Sequence, residues 1–230
     1  GDHLVLCAKP SATQDIQIGN KGESLQKPKV SVSNVAIIEE TSIGDIVLFD
    51  HGLIESRVIK KREGELEVII ITESKKGIKL NSEASINLPD TQLQLASLTQ
   101  EDKAHLPLVL EHADIIGYPY VRDVNDIRAL YSELNKYTHA DVGIIFNINN
   151  EQAFENLPML LLEAMKRPRI GVMIARANLA VEIGPERIAE IQDQIMWICE
   201  AAHIPIVWAT QVLENITSTG VATRAEITDA

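Results

Sequence analysis

A change of rhythm near Asn87–Asp90 constrains this 230-residue chain more than any other feature. Beyond it, short apolar runs, Ile115–Tyr120, Val142–Ile148, Ile170–Ala175 and Ile204–Ala209, alternate with longer stretches of helical period. Those stretches are Gln100–Glu111, Val124–Lys136, Glu151–Lys166 and Pro185–Ala202. Strand starts recurring every roughly 30 residues are the signature of βα units. Strands joined through a helix run parallel, because the helix returns the chain to the same end of the sheet. The second half is therefore expected to be α/β with a parallel sheet, either doubly wound or belonging to a (β/α)8 barrel. Four such units do not close a barrel, so the sequence reads as a piece of a longer protein. The missing initiator Met before Gly1, and a helix opening at Thr223 just before Ala230, carry the same expectation.

Before the change the period is two. Val30–Ile37, Asp45–Phe49, Leu53–Ile59 and Leu66–Ile71 suit half-buried strands, with turns at Ile43-Gly44-Asp45, Asp50-His51-Gly52 and Arg62-Glu63-Gly64-Glu65 between them. Residues 1–88 are expected to form a small all-β module without a helix, and 89–230 the α/β part. Gly19–Pro28 reads as a loop. Lys60-Lys61-Arg62 and Lys75-Lys76 read as solvated hairpin ends, and Trp197 and Trp208 as core.

Charge removes two classes of partner. The balance is 21 − 33 = −12, with 10 basic against 20 acidic residues in 89–230, the wrong sign for gripping nucleic acid or an anionic membrane. No apolar run approaches the roughly 18 residues of a membrane span. Two cysteines, Cys7 and Cys199, make neither a disulfide framework nor a metal spacing, so a cytoplasmic setting is expected.

In either parallel architecture the functional face lies at the C-terminal ends of the strands. The side chains there include Arg122, Asn147, Asn149, Arg176, Asn178, Glu182, Thr210, Gln211 and Glu214. Two arginines, a threonine and several amides suit a small oxyanion. No lysine or histidine stands among them, and no aspartate before Asp123, although acid–base or metal chemistry would want such a group. The face reads as a binding site short of catalytic equipment. Read without further context, Asn147 and Asn149 are ordinary strand-end amides, and Glu182 and Glu214 caps or partners for Arg176.

Several of these segments resemble the successive motifs of the pyruvate kinase family. They are Thr99-Gln100-Glu101-Asp102, Tyr118-Pro119-Tyr120-Val121-Arg122, Ile174 to Ile183, Ala209-Thr210-Gln211-Val212-Leu213-Glu214 and Thr223-Arg224-Ala225-Glu226. Upstream, Gly44-Asp45-Ile46, Asp50-His51-Gly52-Leu53-Ile54 and Asn87-Leu88-Pro89 resemble the family's lid and its return to the barrel. The resemblance implies a β-barrel lid (1–88) inserted into a partial (β/α)8 barrel (89–230) supplying the fourth to seventh strands. It also implies a reaction, phosphoryl transfer from phosphoenolpyruvate to ADP, with Mg²⁺ and K⁺ as cofactors and a homo-oligomeric parent.

The same resemblance exposes departures. Where the family reads Lys-Ile-Glu after its fifth strand, this chain reads Asn147-Ile148-Asn149. The family's Ala-Arg-Gly-Asp-Leu-Gly becomes Ala175-Arg176-Ala177-Asn178-Leu179-Ala180. The lid's Asp-Asp-Gly becomes Asp50-His51-Gly52, and a serine becomes Pro119. The resemblance assigns the catalytic positions to Asn147, in place of lysine, and Thr210. It assigns substrate contacts to Arg122, Ala177, Asn178 and Thr210, and the metal positions to Asn149 and Asn178. Mg²⁺ favours anionic oxygens, and phosphoryl transfer needs cations against the moving group. Neutral amides supply neither. Impaired catalysis is expected, with neither ion bound here and at most a small carboxylate or phosphate ligand retained. The methyls of Ala177 and Ala180, in place of glycines, are expected to alter the turn that carries the backbone donors. The alternatives are a working pyruvate kinase with atypical residues, or a metal-free activity on a small carboxylate.

Overall fold

The computed structural model describes residues 1–8, 27–50, 52–72, 78, 80–81, 84–91, 93, 95–138, 141–209 and 212–229. It divides into two compact units, Gly1–Leu95 and Ala96–Ala230. Gly19–Gln26, His51, Lys75, Lys76, Thr210 and Gln211 lie outside the described residues.

In the first unit, β1 (His3–Cys7), β2 (Lys29–Ser31), α1 (Ala36–Glu40), β3 (Ile46–Phe49), β4 (Ile54–Arg62), β5 (Glu65–Ile70) and β6 (Ile86–Asn87) follow in order. The strands form one sheet, β2-β1-β5-β4-β3-β6, with only the β1–β2 pair parallel. Alternation sets the faces: Leu66 and Val68 of β5 join Leu6, Val47, Phe49 and Val58 in the core, while Glu65 and Glu67 point away from it.

Helix α1 corrects the all-β expectation. The β-branched run Val30–Ile37 has strand propensity, yet only Lys29–Ser31 pairs. Asn34 Oδ1 accepts from the Ala36 N–H at 3.0 Å, which turns the chain, and the adjacent pair Ile37 and Ile38 is buried. Adjacent residues point to opposite faces of a strand but can share the buried side of a helix, so packing overrides propensity.

In the second unit the order is α2 (Gln100–His112), β7 (Ile115–Tyr118), α3 (Val124–Leu134), β8 (Gly143–Ile148), α4 (Glu151–Glu155) and α5 (Leu157–Ala164). There follow β9 (Ile170–Ala175), α6 (Arg176–Ile183), a 3₁₀ turn Pro185–Arg187, α7 (Ile188–Ala201), β10 (Ile206–Ala209), α8 (Glu214–Thr219) and α9 (Arg224–Asp229). The four strands are parallel and lie in chain order, without the reversal that defines a doubly wound sheet. The expected helix Glu151–Lys166 is two, because Asn156 closes α4 and Pro158, which lacks an N–H, sits in the first turn of α5.

Even-numbered strand residues (Tyr118, Ile144, Phe146, Ile148, Val172 and Ile174) pack with Ile127, Leu130 and Leu134 of α3, Leu157 and Leu161 of α5, and Ile191 and Ile195 of α7. Odd-numbered residues occupy the other face, where Ile115 is 59% exposed. Trp208 packs against the core, but Trp197 is 64% exposed, contrary to expectation. The buried stripe of α7 runs Ile191, Ile195, Cys199, and Trp197 sits half a turn off it.

Candidate functional site

The end of β7 is tied down by one carboxylate. Asp126 Oδ2 accepts from the Arg122 N–H at 2.8 Å, Asp126 Oδ1 accepts from Ser97 at 2.7 Å, and the Arg122 Nε lies 3.6 Å from Oδ2. Tyr118 donates to the Asp126 carbonyl at 3.2 Å, and burial pushes its phenol up to about 12. Arg122 is thus held against the start of α3. Tyr120, between strand and helix, adopts a left-handed φ of 57°.

The next strand end is built from amides. Asn147 lies on the odd-numbered face of β8, opposite Met173, with its Oδ1 buried and without a hydrogen bond among the described residues. Asn149, 5% exposed, offers its Oδ1 to Asn150 Nδ2 at 3.1 Å. Asn150 Nδ2 also reaches the Val121 carbonyl at 3.1 Å, and its Oδ1 caps α4 through the Ala153 N–H at 2.8 Å. Asn156 Nδ2 donates to the Arg122 carbonyl at 2.9 Å. Asn150 therefore latches the end of β8, and Asn156 the α4–α5 junction, to the end of β7, roles the sequence reading missed. Their only signal was an Asn before each helix start.

After β9 the expected strand-end turn is helix α6. Ile148 pairs with Ile174, so Asn149, just past β8, and Ala175, the last residue of β9, stand at neighbouring strand ends. Ala177 and Asn178 occupy the first turn of α6, which no side chain caps. Neither Ala177 nor Ala180 has a positive φ, so their methyls cost no strain, and the first-turn N–H groups keep no intrahelical acceptor. Arg176 stacks over the Trp208 ring, its Cζ 5.4 Å from the centroid. Glu182 Oε2 accepts from the Glu151 N–H at 3.3 Å, and burial raises its pKa.

The donors at the two positions assigned to the metal are thus carboxamides, one already engaged by Asn150. A hard divalent cation favours carboxylate oxygens. These residues do not fit Mg²⁺, and among the described residues no three of His, Cys, Asp or Glu group to hold a metal ion.

The model for the barrel domain of pyruvate kinase matches residues 8–230. The chain belongs to the pyruvate kinase family. The pyruvate kinase of Borreliella burgdorferi is 31% identical over 193 residues, covering 84% of this chain and 39% of that protein. The pyruvate kinase of Geobacillus stearothermophilus is 30% identical over 204 residues, and that of Bacillus licheniformis 28% over 202, each alignment covering 87% of this chain and 33% of the relative. The chain therefore spans little more than a third of these relatives' length. This family kinship accounts for the mixed α/β barrel-domain content, and no helix among the described residues is long and apolar enough to cross a membrane.

Proposed function

We propose that this chain is a catalytically impaired pyruvate kinase module, with residues 1–88 as a lid-like β unit inserted into a partial (β/α)8 barrel spanning 89–230. It retains at most a pocket for a small carboxylate or phosphate, or a role in assembling a homo-oligomeric, cytoplasmic parent. One observation carries this reading: Asn147 and Asn149 at the end of β8, and Asn178 in the first turn of the helix after β9, stand where the family resemblance calls for a lysine and two carboxylates. Replacing a single preorganised charge-stabilising donor costs on the order of 10²–10³ in rate, and a lysine and its metal act as one unit rather than as independent factors. What supports residual anion binding is the uncapped first turn of α6, where the Ala177 and Asn178 N–H groups meet the positive end of the helix. Thr210 is assigned to the same pocket by the resemblance.

The test uses the uninterrupted parent protein, assayed for pyruvate from phosphoenolpyruvate and ADP with Mg²⁺ and K⁺. Background turnover is expected, and N147K/N149E/N178D is expected to gain a divalent-metal site that the parent lacks. Turnover by the parent near the enzyme median of about 10 s⁻¹ overturns the proposal.

A further inference from the structure

The sheet of the first unit carries a cavity of about 390 Å³, with Val5 in its wall and Lys27, Lys29, Lys60, Arg62, Glu65 and Glu67 around it. Register builds the site. Lys29 of β2 stands beside Val5 of β1, Val5 beside Glu67 of β5, and Glu67 beside Lys60 of β4. Arg62 opposes Glu65 in the next row of the same face.

A β-bulge between Val58 and Lys60 puts the cations there. Val58 opposes Val68, so an unbroken ladder would set Ile59 against Glu67 and Lys60 against Leu66. The observed pairs are Lys60 with Glu67 and Lys61 with Leu66, because Ile59 is left out of the register. Bulges re-aim side chains in this way, and they recur beside binding sites. The shift also sends Lys61 to the opposite face, where its Nζ donates to the Glu39 and Thr41 carbonyls at 2.7 and 2.8 Å. The three-residue basic run is thus more than the solvated hairpin end its sequence suggests.

The charges in the cavity do not balance. Glu65 is taken by Lys29 at 2.5 Å, and Glu67 by Lys27 together with His3 Nδ1 at 2.8 Å. Lys60 and Arg62 form no ion pair among the described residues. Four cations against two carboxylates leave a positive cavity in a chain of net charge −12. An arginine fork beside a lysine point charge is the pairing that recognises a phosphate group.

We infer that this cavity binds the phosphate group of a small phosphorylated molecule, with Lys60 and Arg62 as its direct ligands and Lys27 and Lys29 as the supporting field. The probe is inorganic pyrophosphate, titrated into the full 230-residue chain at low salt and followed by the backbone amide resonances of Val58–Arg62 and Glu65–Val68. Saturable shifts are expected, weakened about tenfold or more in K60Q/R62Q, with no such loss in K103Q/R128Q, which removes two bases from the second unit. Both residues of the test variant are exposed, and their side chains make no hydrogen bond or ion pair among the described residues, so K60Q/R62Q is expected to stay folded by its amide spectrum. Three results would each overturn the inference. They are no saturation by about 10 mM, equal binding in K60Q/R62Q, and an equal loss in K103Q/R128Q. Sulfate binding as tightly as pyrophosphate would overturn the phosphate assignment as well.

Discussion

Helix starts and strand ends in the second unit use polar residues in opposite ways. At the helix starts, carboxylates are plentiful, and those of the capping boxes are engaged. Asp102 and Thr99 form a reciprocal box at α2, and Asp123 accepts from the Asn125 and Asp126 N–H groups at α3. Glu226, 6% exposed, accepts from the Thr223 N–H at 2.7 Å and the Asn215 N–H at 2.5 Å, while Thr223 accepts from the Glu226 N–H at 3.3 Å. At the end of β8 stand Asn147 and Asn149, and just past β9, in the uncapped first turn of α6, stands Asn178. Two of the segments that carry the family resemblance, Thr99–Asp102 and Thr223–Glu226, are therefore capping boxes, whose purpose is to satisfy orphan N–H groups. Acids remain where they hold backbone and are missing where the family resemblance asks them to hold a metal. Scaffold and chemistry are separable in this chain.

The sharpest way to break that comparison lies within β8, where two neighbours serve opposite faces. Phe146→Ala empties a site in the helix-facing core and is expected to cost about 3–5 kcal/mol. Asn147→Ala removes an acceptor that is buried without a partner, and is expected to change stability by less than about 1 kcal/mol. Urea unfolding reads both. Its fluorescence reports the second unit alone, since Trp197 and Trp208 both lie there. A loss at Asn147 as large as that at Phe146 would make the amide structural and dissolve the distinction between the faces.

Next in size come the caps themselves. Asp126→Ala strands the Arg122 N–H and leaves the Ser97 hydroxyl only its Tyr118 partner at 2.6 Å, and a loss of about 1–3 kcal/mol is expected in the same measurement. Thr99→Ala removes one side of the α2 box and should cost about 1 kcal/mol. If Asp126→Ala were silent, the end of β7 would have to be held by the Asn150 and Asn156 latches alone.

How much of this the sequence disclosed follows from where its signals were periodic. The four parallel strands and the helices α2, α3 and α7 stand where alternating runs and 3.6-residue spacing put them, to within a few residues. Helix α6 was hidden, because β9 passes into it at Ala175-Arg176 with no Gly, Pro or capping side chain to mark the change. The lock on β7 was equally hidden. Asp126 reads as a helix-start acid, and only the folded chain brings its carboxylate to Ser97, 29 positions earlier. Trp197 was legible in principle, since the stripe of α7 excludes it, but its size argued for burial. The substituted amides were visible at once, yet their meaning came from the family pattern and not from their own chemistry.

The smallest expected effect separates the same two regions by the sign of a pH dependence. Hydrogen bonds from Thr99 hold the Asp102 carboxyl below its ordinary range, and the bond from Thr223 does the same for Glu226. A depressed folded pKa contributes stability that is present above the ordinary carboxylate range, near pH 4, and is lost as the pH falls through the folded value. Glu182, beside the strand ends, has its pKa raised by burial. Its contribution is present below the ordinary glutamate pKa and is lost as the pH rises through the folded one. Glu182→Gln removes that ionisation while keeping an oxygen for the Glu151 N–H. The variant should be slightly more stable than the parent sequence at pH 7, and the gain should vanish on acidification while the caps weaken in both proteins. Urea midpoints at pH 7 and pH 4 decide it. A gain that persists at low pH would mean that Glu182 is unfavourable through packing rather than charge, and the strand-end region would then lose its one ionisable contrast with the caps.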